Sequence, residues 1–240
     1  ENSLLLDVTT AVTGDNDLFS LKASAKKMGL GSFQADRSYM TKISTFKNNI
    51  IFRSVKSYSA GSRALPPSPA YPKGGSEPTP PTRWEIGVSI ALLPEVPMRP
   101  RFEDSRVGYF AYGKVDFGAN PYKSERISMV SRWRLEPKPE DMEKYKRGEL
   151  VEPVKPIVWY VDPAIPEKWR KYVKLGIADW NIAFEAIGFK NAIVVKDYPT
   201  DDPNFDPDDI HYNCYRFVAS ARENSMGPSW IDPRSGEILC

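Results

Sequence analysis

Histidine is nearly missing from this chain: its 240 residues hold one, His211. A catalytic zinc site takes two or three imidazoles and a positioned carboxylate base, so the chain cannot assemble one from its own side chains. Cysteine is as scarce, with only Cys214 and Cys240. Two thiols make no disulfide framework and do not report a redox compartment, although one bridge is possible if the strands carrying them are neighbours. Excess charge is absent too: the net charge of +2 gives no global field for nucleic acid or an anionic membrane. No apolar run approaches the ~20 residues that cross a bilayer. The best stretch, Ile86 to Val96, is broken by Gly87, Ser89, Pro94 and Glu95. There is no phosphate-binding loop, no dinucleotide fingerprint and no Gly-x-Ser-x-Gly elbow around Ser225 or Ser229. The chain also starts at Glu1 without Met, which reads as a processed piece whose targeting segment would have been removed.

What is present is a β-leaning soluble composition. The length suffices for one large or two small domains, and 12 Tyr, 11 Phe and 6 Trp suit sheets. Residues 1–150 read as a β-rich region. Asn49–Val55 alternates as a strand, and Trp84, Ile86, Val88, Ile90 and Leu92 share one face of another. Between them, residues 64–82 carry seven prolines and Gly74-Gly75. That composition cannot sit in a central strand and predicts a mobile hairpin connection. The lysines and arginines of residues 1–63 lack interleaved exposed aromatics, so they read as a solvated sheet face rather than a nucleic-acid surface. In Met98–Phe110, arginines alternate with acids, which predicts an ordered loop tied by ion pairs, with a segment lying across a cleft as the alternative. Ile127–Leu135 is a further strand, and Pro137–Gly148 contains a helical turn.

Residues 151–240 are patterned more sharply. Lys155–Val161 is a buried-type strand. Pro166 can start a helix with Glu167 in its first turn and Asp162 or Ala164 as cap. Trp169, Val173, Ile177, Trp180, Phe184 and Ile187 then recur at helical spacing, with Gly188 as the stop. Gly176 lies on the same side, where it would permit close approach to a sheet. Ala192–Val195 follows as a strand, and two strands joined by a helix imply a parallel pair with a right-handed crossover. Tyr212–Val218 is a third strand, and Glu237–Leu239 begins a fourth after a turn at Asp232–Gly236. The acidic run Asp197–Asp209 lacks the glycine and glutamate of an EF-hand loop and reads as Asx/Pro turns rather than an irregular calcium site. His211 reads as a structural or surface residue, and Asp179 and Glu185 as the polar face of their helix.

Several stretches together resemble a known family: Met98-Arg-Pro-Arg, Arg106-Val-Gly-Tyr-Phe110, Arg132-Trp-Arg-Leu-Glu136, Glu152–Val158, Pro166–Trp169, Asp179-Trp180, Phe184–Ala192, Met226-Gly-Pro228 and Asp232-Pro-Arg-Ser-Gly-Glu-Ile-Leu239. They resemble the large bacterial secreted zinc-dependent metalloproteases of metzincin type. The resemblance implies an α+β fold: a β-rich N-terminal region, then a mixed twisted sheet backed by one long helix, 166–187. In that family H-E-x-x-H follows the last of these stretches, so residues 151–240 are expected to be the first half of a protease domain, cut before its zinc helix. No catalytic or metal-binding residue and no cofactor bound by this chain is expected. Zinc belongs to the full-length parent, which would cleave a peptide or protein substrate in a periplasmic or extracellular setting. Gly236, Glu237, Ile238 and Leu239 would form an edge strand against the extended substrate, since an exposed edge offers unpaired N–H and C=O groups, with Trp230 at the rim. Residues 1–150 could act as a pro-segment-like cover, with Met98–Phe110 nearest the cleft. An incomplete sheet would invite self-association. Two other readings stand beside this one: a non-catalytic peptide- or partner-binding protein using that edge, and a carbohydrate-binding surface module built on the aromatics.

Overall fold

The computed structural model describes residues 4–70, 72–220 and 224–240. The fold is α+β and rich in strands. Two compact units divide it, Glu1–Ala91 and Leu92–Cys240. The sequence pattern places a boundary at 150/151. The contacts draw it at 91/92 because the stretch after Ala91 binds the C-terminal part of the chain. The Arg132 N–H donates to the Gly236 carbonyl (3.0 Å), the Ile238 N–H donates to the Arg132 carbonyl (2.9 Å), and Val151 bridges Phe189.

The first unit opens with two short helices, α1 (Thr9–Thr13) and α2 (Lys22–Lys27), followed by β1 (Tyr39–Thr45), β2 (Asn49–Tyr58), β3 (Gly61–Leu65), β4 (Gly75–Thr79) and β5 (Thr82–Ala91). Sequence periodicity misses α1 and α2, since one turn of helix carries no readable period. The sheet is antiparallel, in the order β1-β2-β5. β2 and β5 pair in unbroken register from Asn49 opposite Ala91 to Tyr58 opposite Thr82. Their connection is itself a hairpin, β3 against β4. The proline-rich segment is thus a hairpin connection, as its composition predicts, yet both its ends are strand. Pro78 is tolerated opposite Ser62 because the β3–β4 sheet has only two strands, so every strand in it has an outer edge. Trp84, Ile86 and Val88 keep the expected alternation, which fails at Ser89. The core gathers Val12, Phe19, Ile51, Val55 and Tyr58, with Phe19 edge-on to Phe52 at 5.6 Å.

Lys56 lies in that core with no exposed surface. Its ammonium donates to the carbonyl oxygens of Val12 (2.5 Å) and Gly14 (2.8 Å). These belong to the C-terminal end of α1, which attracts a cation and needs donors. Burial lowers the Lys56 pKa, against a smaller opposing pull from Asp15.

The second unit holds a hairpin of β6 (Ala111–Asp116) with β7 (Glu125–Val130), then α3 (Met142–Lys146), β8 (Ile157–Val161), α4 (Glu167–Ala178), α5 (Asn181–Glu185), β9 (Ile193–Asp197) and β10 (Asn213–Tyr215). β8 lies between β10 and β9 and runs parallel to both, the arrangement that a strand–helix–strand order predicts. The helical segment differs from the single helix expected over 166–187. At Asp179 and Trp180 the backbone bonds switch to i→i+3, with Ile182 N–H donating to Asp179 (3.1 Å) and Ala183 N–H to Trp180 (3.0 Å). Asn181 supplies a reason: its amide donates to the Ile193 carbonyl and accepts from the Ile193 N–H, both at 2.9 Å, which pins α5 to β9. No Asp162 cap forms on α4. That carboxylate instead receives the Ala164 N–H (2.8 Å) in a turn before the helix. Gly188 ends the segment at φ +96°, and a Cβ there would lie 2.7 Å from the Tyr145 ring. Val151, Phe189 and Ala192 form a small core with Leu135, Tyr145 and Phe184 packed on it.

The acidic loop after β9 folds as Asx turns, the reading its prolines favour: Asp202, Asp206 and Asp209 each accept the N–H two residues on. Phe205 carries the loop onto the sheet, with its ring 5.6 Å from Tyr160 and 4.8 Å from Tyr212. Cys214 and Cys240 are free thiols.

Candidate functional site

The stretch Trp230–Cys240 is held from two sides. The N–H groups of Gly236, Glu237, Ile238 and Leu239 are all donated within the chain: to the Asp232 carbonyl (2.9 Å), Ser235 Oγ (3.2 Å), the Arg132 carbonyl (2.9 Å) and the Trp230 carbonyl (2.8 Å). Glu237 bridges Arg132 in parallel sense, and Ile238 bridges Ile231 in antiparallel sense. Gly236 and Glu237 are buried. The edge strand expected at Gly236–Leu239 is therefore not an open edge. Its N–H groups are all used, and the Gly236 and Glu237 carbonyls accept from the Arg132 and Asp232 N–H groups. Nor does it extend the β10-β8-β9 sheet.

Charge explains why the turn closes this way. Asp232 and Ser235 have no exposed surface. The Arg234 guanidinium grips Asp232 through Nε (3.0 Å) and Nη2 (2.8 Å) and also donates to the Pro94 carbonyl (2.6 Å). These donors hold the Asp232 carboxyl below the usual carboxylate range. Arg134 Nη2 donates to Glu237 at 2.7 Å and to the Val96 carbonyl at 2.8 Å. The loop after Met98 has its own pair, as the interleaved charges predict. Arg106 binds Asp104 at 2.6 Å and holds its carboxyl at about 2.

Beside this clasp lies a groove of about 1040 Å³. Its floor is Trp159 of β8, Ile193 of β9 and Tyr215 of β10, continued by Trp133 and Leu135. One wall is helical, from Tyr172, Val173, Gly176 and Ile177 to Trp180 and Phe184. The lining also takes in Arg101, Tyr109, Phe110, Arg132 and Ile238, from outside the helices and the sheet. The groove exists because α4 does not bury its apolar side. No residue of α4 is buried, and Trp180 keeps 64% of its surface exposed. Gly176 makes no close approach, since a Cβ there would meet nothing within 4 Å.

Of the residues that the sequence marked for substrate, Ile238 reaches this groove. Gly236, Glu237 and Leu239 lie in the paired turn, and Trp230 is half-exposed on the partner strand. Met98–Phe110 does approach 227–239. Arg101, Tyr109 and Phe110 share the groove with Ile238, and the Arg101 carbonyl accepts the Val130 N–H at 2.8 Å. The sequence reading assigned Val173, Ile177, Trp180 and Phe184 to packing. The one sign that they line a groove was Gly176, a gap in the apolar face.

Two chemistries can be weighed on the geometry. Among the described residues no group of three or more His, Cys, Asp or Glu side chains could hold a metal ion. His211, the one imidazole, packs edge-on to Tyr212 at 5.3 Å. These residues do not fit a zinc site. For carbohydrate, a platform needs coplanar rings, and Trp133 meets Trp159 at 76°.

A family model described as "Domain of unknown function (DUF5117)" matches residues 1–138. The chain belongs to this family. The DUF5117 match takes in the whole first unit and, in the second, the β6–β7 hairpin and the arginines at 132 and 134. Comparison with curated proteins and with solved structures gave no match. Among the described residues no helix is long and apolar enough to cross a membrane.

Proposed function

We propose that this DUF5117 chain supplies the N-terminal region and the opening scaffold of a secreted zinc-dependent metalloendopeptidase, and that it is inactive alone. One observation supports the reading above others: a parallel strand pair joined by a helical crossover leads into the Asp232–Leu239 turn, the element order of the resembled domains. Zinc and its general base would come from residues outside this chain, which carries a single imidazole. The parent reaction would be metal-assisted peptide hydrolysis in the periplasm or outside the cell. The Arg134–Glu237 and Arg234–Asp232 pairs act as clasps for the scaffold, not as chemistry.

The test begins with the reading frame beyond the Cys240 codon. An H-E-x-x-H there, with stoichiometric zinc and chelator-sensitive casein cleavage in the longer protein but not in this chain, is the expected result. A continuation with no such motif, or chelator-sensitive proteolysis by the purified 240-residue chain, overturns the proposal.

A second reading, a non-catalytic binding protein, is favoured by the aromatic groove rather than by the Gly236–Leu239 strand. Self-association through the same open face is a variant of that reading. Sedimentation of the chain over a concentration series decides between a monomer and a dimer.

A further inference from the structure

We propose that the groove of the second unit is a binding site for a long-chain carboxylate, with the hydrocarbon against the aromatic wall and the carboxylate at Arg101 and Arg132. The size fits a small molecule: about 1040 Å³, at the upper end of ligand pockets, which run roughly 300–1,000 Å³. The chemistry is asymmetric. The lining offers apolar Val173, Ile177, Trp180, Trp159 and Ile193 together with two arginines, Arg101 and Arg132.

Arg132 lacks full compensation. Arg132 donates through Nη2 to the Arg99 carbonyl, but its buried Nε–H has no partner among the described residues. Glu237, the nearest buried acid, is committed to Arg134. Burial first, then repulsion from Arg101, lowers the Arg132 pKa against the weaker pull of Glu237. An anion at this end of the groove would relieve the repulsion between Arg101 and Arg132, and a guanidinium fork matches a carboxylate in two contacts.

The rest of the groove argues for hydrocarbon rather than extended peptide. A peptide laid there would bury N–H and C=O groups that need partners. Much of the groove's own backbone is already used. Ile193 is bonded on its outer side by Asn181, Trp159 lies between two paired strands, Ser131 N–H donates to the Phe110 carbonyl, and Arg132 pairs with Gly236 and Ile238. A hydrocarbon chain makes no such demand. The groove lies in the unit that the proposed function reads as the opening part of a longer domain, and ligand binding by the 240-residue chain is read separately from zinc content and proteolysis in the longer protein.

The experiment titrates the 240-residue chain with dodecanoate below its micelle concentration, with dodecanol and the free-acid peptide Leu-Leu-Leu as comparators. Quenching of tryptophan fluorescence and calorimetry are the readouts. Saturable binding of one dodecanoate per chain is expected, with dodecanol weaker by about tenfold through loss of the charge-assisted bonds. Arg101→Gln should remove most of that difference while leaving dodecanol binding unchanged. Gly176→Trp, whose side chain enters open space, should abolish binding of both while leaving the melting temperature unlowered. Equal binding of dodecanol and dodecanoate, tighter binding of the peptide, unsaturable uptake, or full binding by Gly176→Trp would each overturn the proposal.

Discussion

Arg134 and Glu237 meet at 2.7 Å although 103 residues separate them in sequence. The contact ties the segment after the β6–β7 hairpin to the last turn of the chain. Both side chains are mostly buried, so removing one leaves the other desolvated without its partner. Glu237→Ala is expected to destabilise the second unit by about 1.5–3 kcal/mol, the range for hydrogen bonds to charged groups. Urea unfolding followed by tryptophan fluorescence measures it. A loss within experimental scatter would mean that the pair is no more than a surface contact.

Asp232 makes the stability of the same turn acid-sensitive. Arg234 lowers its folded pKa below the unfolded value of about 3.9. A lowered carboxylate contributes stability fully above the unfolded pKa and loses it as pH falls through the folded one. Wild-type unfolding free energy should therefore drop on acidification below about pH 4. In Asp232→Asn it should start lower and fall less steeply over the same window. Denaturation curves taken from neutral pH downwards compare the two.

Gly236 sits at φ +77°, and a Cβ on it would lie 2.5 Å from the Val130 carbonyl oxygen. Gly236→Ala should cost about 1–3 kcal/mol from backbone strain alone, with the clash added. Gly176→Ala, which meets nothing within 4 Å, should instead gain up to about 1 kcal/mol from helix propensity. Thermal melts of the two variants should shift in opposite directions.

Lys56 holds two carbonyl oxygens at the end of α1. Lys56→Ala removes both bonds from the core of the first unit and should cost about 2–3 kcal/mol. Hydrogen exchange should rise across residues 9–14 and β2 while the second unit keeps its protection.

Burial raises the Cys240 thiol to about 11, and Cys214 is raised for the same leading reason. Thiolate is the reactive form. Iodoacetamide at pH 8 should label the native chain more slowly than the urea-unfolded chain, read by intact mass. Equal rates would contradict the buried, protonated thiols.

The legible parts of the fold are those whose pattern is local. Alternation at Trp84, Ile86 and Val88 marks β5, and the apolar run Ile157–Val161 marks β8. Gly188 ends its helix because only a residue without Cβ fits beside Tyr145. The elements missed are short or set from outside: one-turn helices at Thr9–Thr13 and Lys22–Lys27, and the break at Asp179–Trp180, where Asn181 answers to Ile193 across the fold. The candidate site was legible in its parts only. The arginines near Arg101 and the apolar positions from Val173 to Phe184 stand out separately, and no sequence pattern says that they line one groove.

By itself the sequence determined the strand-rich α+β class, the parallel pair around a helical crossover, and the lack of imidazole for a zinc site. These follow from periodicity, the helix-ending Gly188 and composition, which act over a few neighbours or over the whole chain. The tertiary structure decided what happens at Gly236–Leu239 and along α4. There an anticipated open edge is paired on both sides by Arg132 and Trp230, and an anticipated packed helix face stands open as a groove. Pairing and burial depend on which distant backbone and side chains arrive, and Arg134 reaching Glu237 is not encoded within either segment alone.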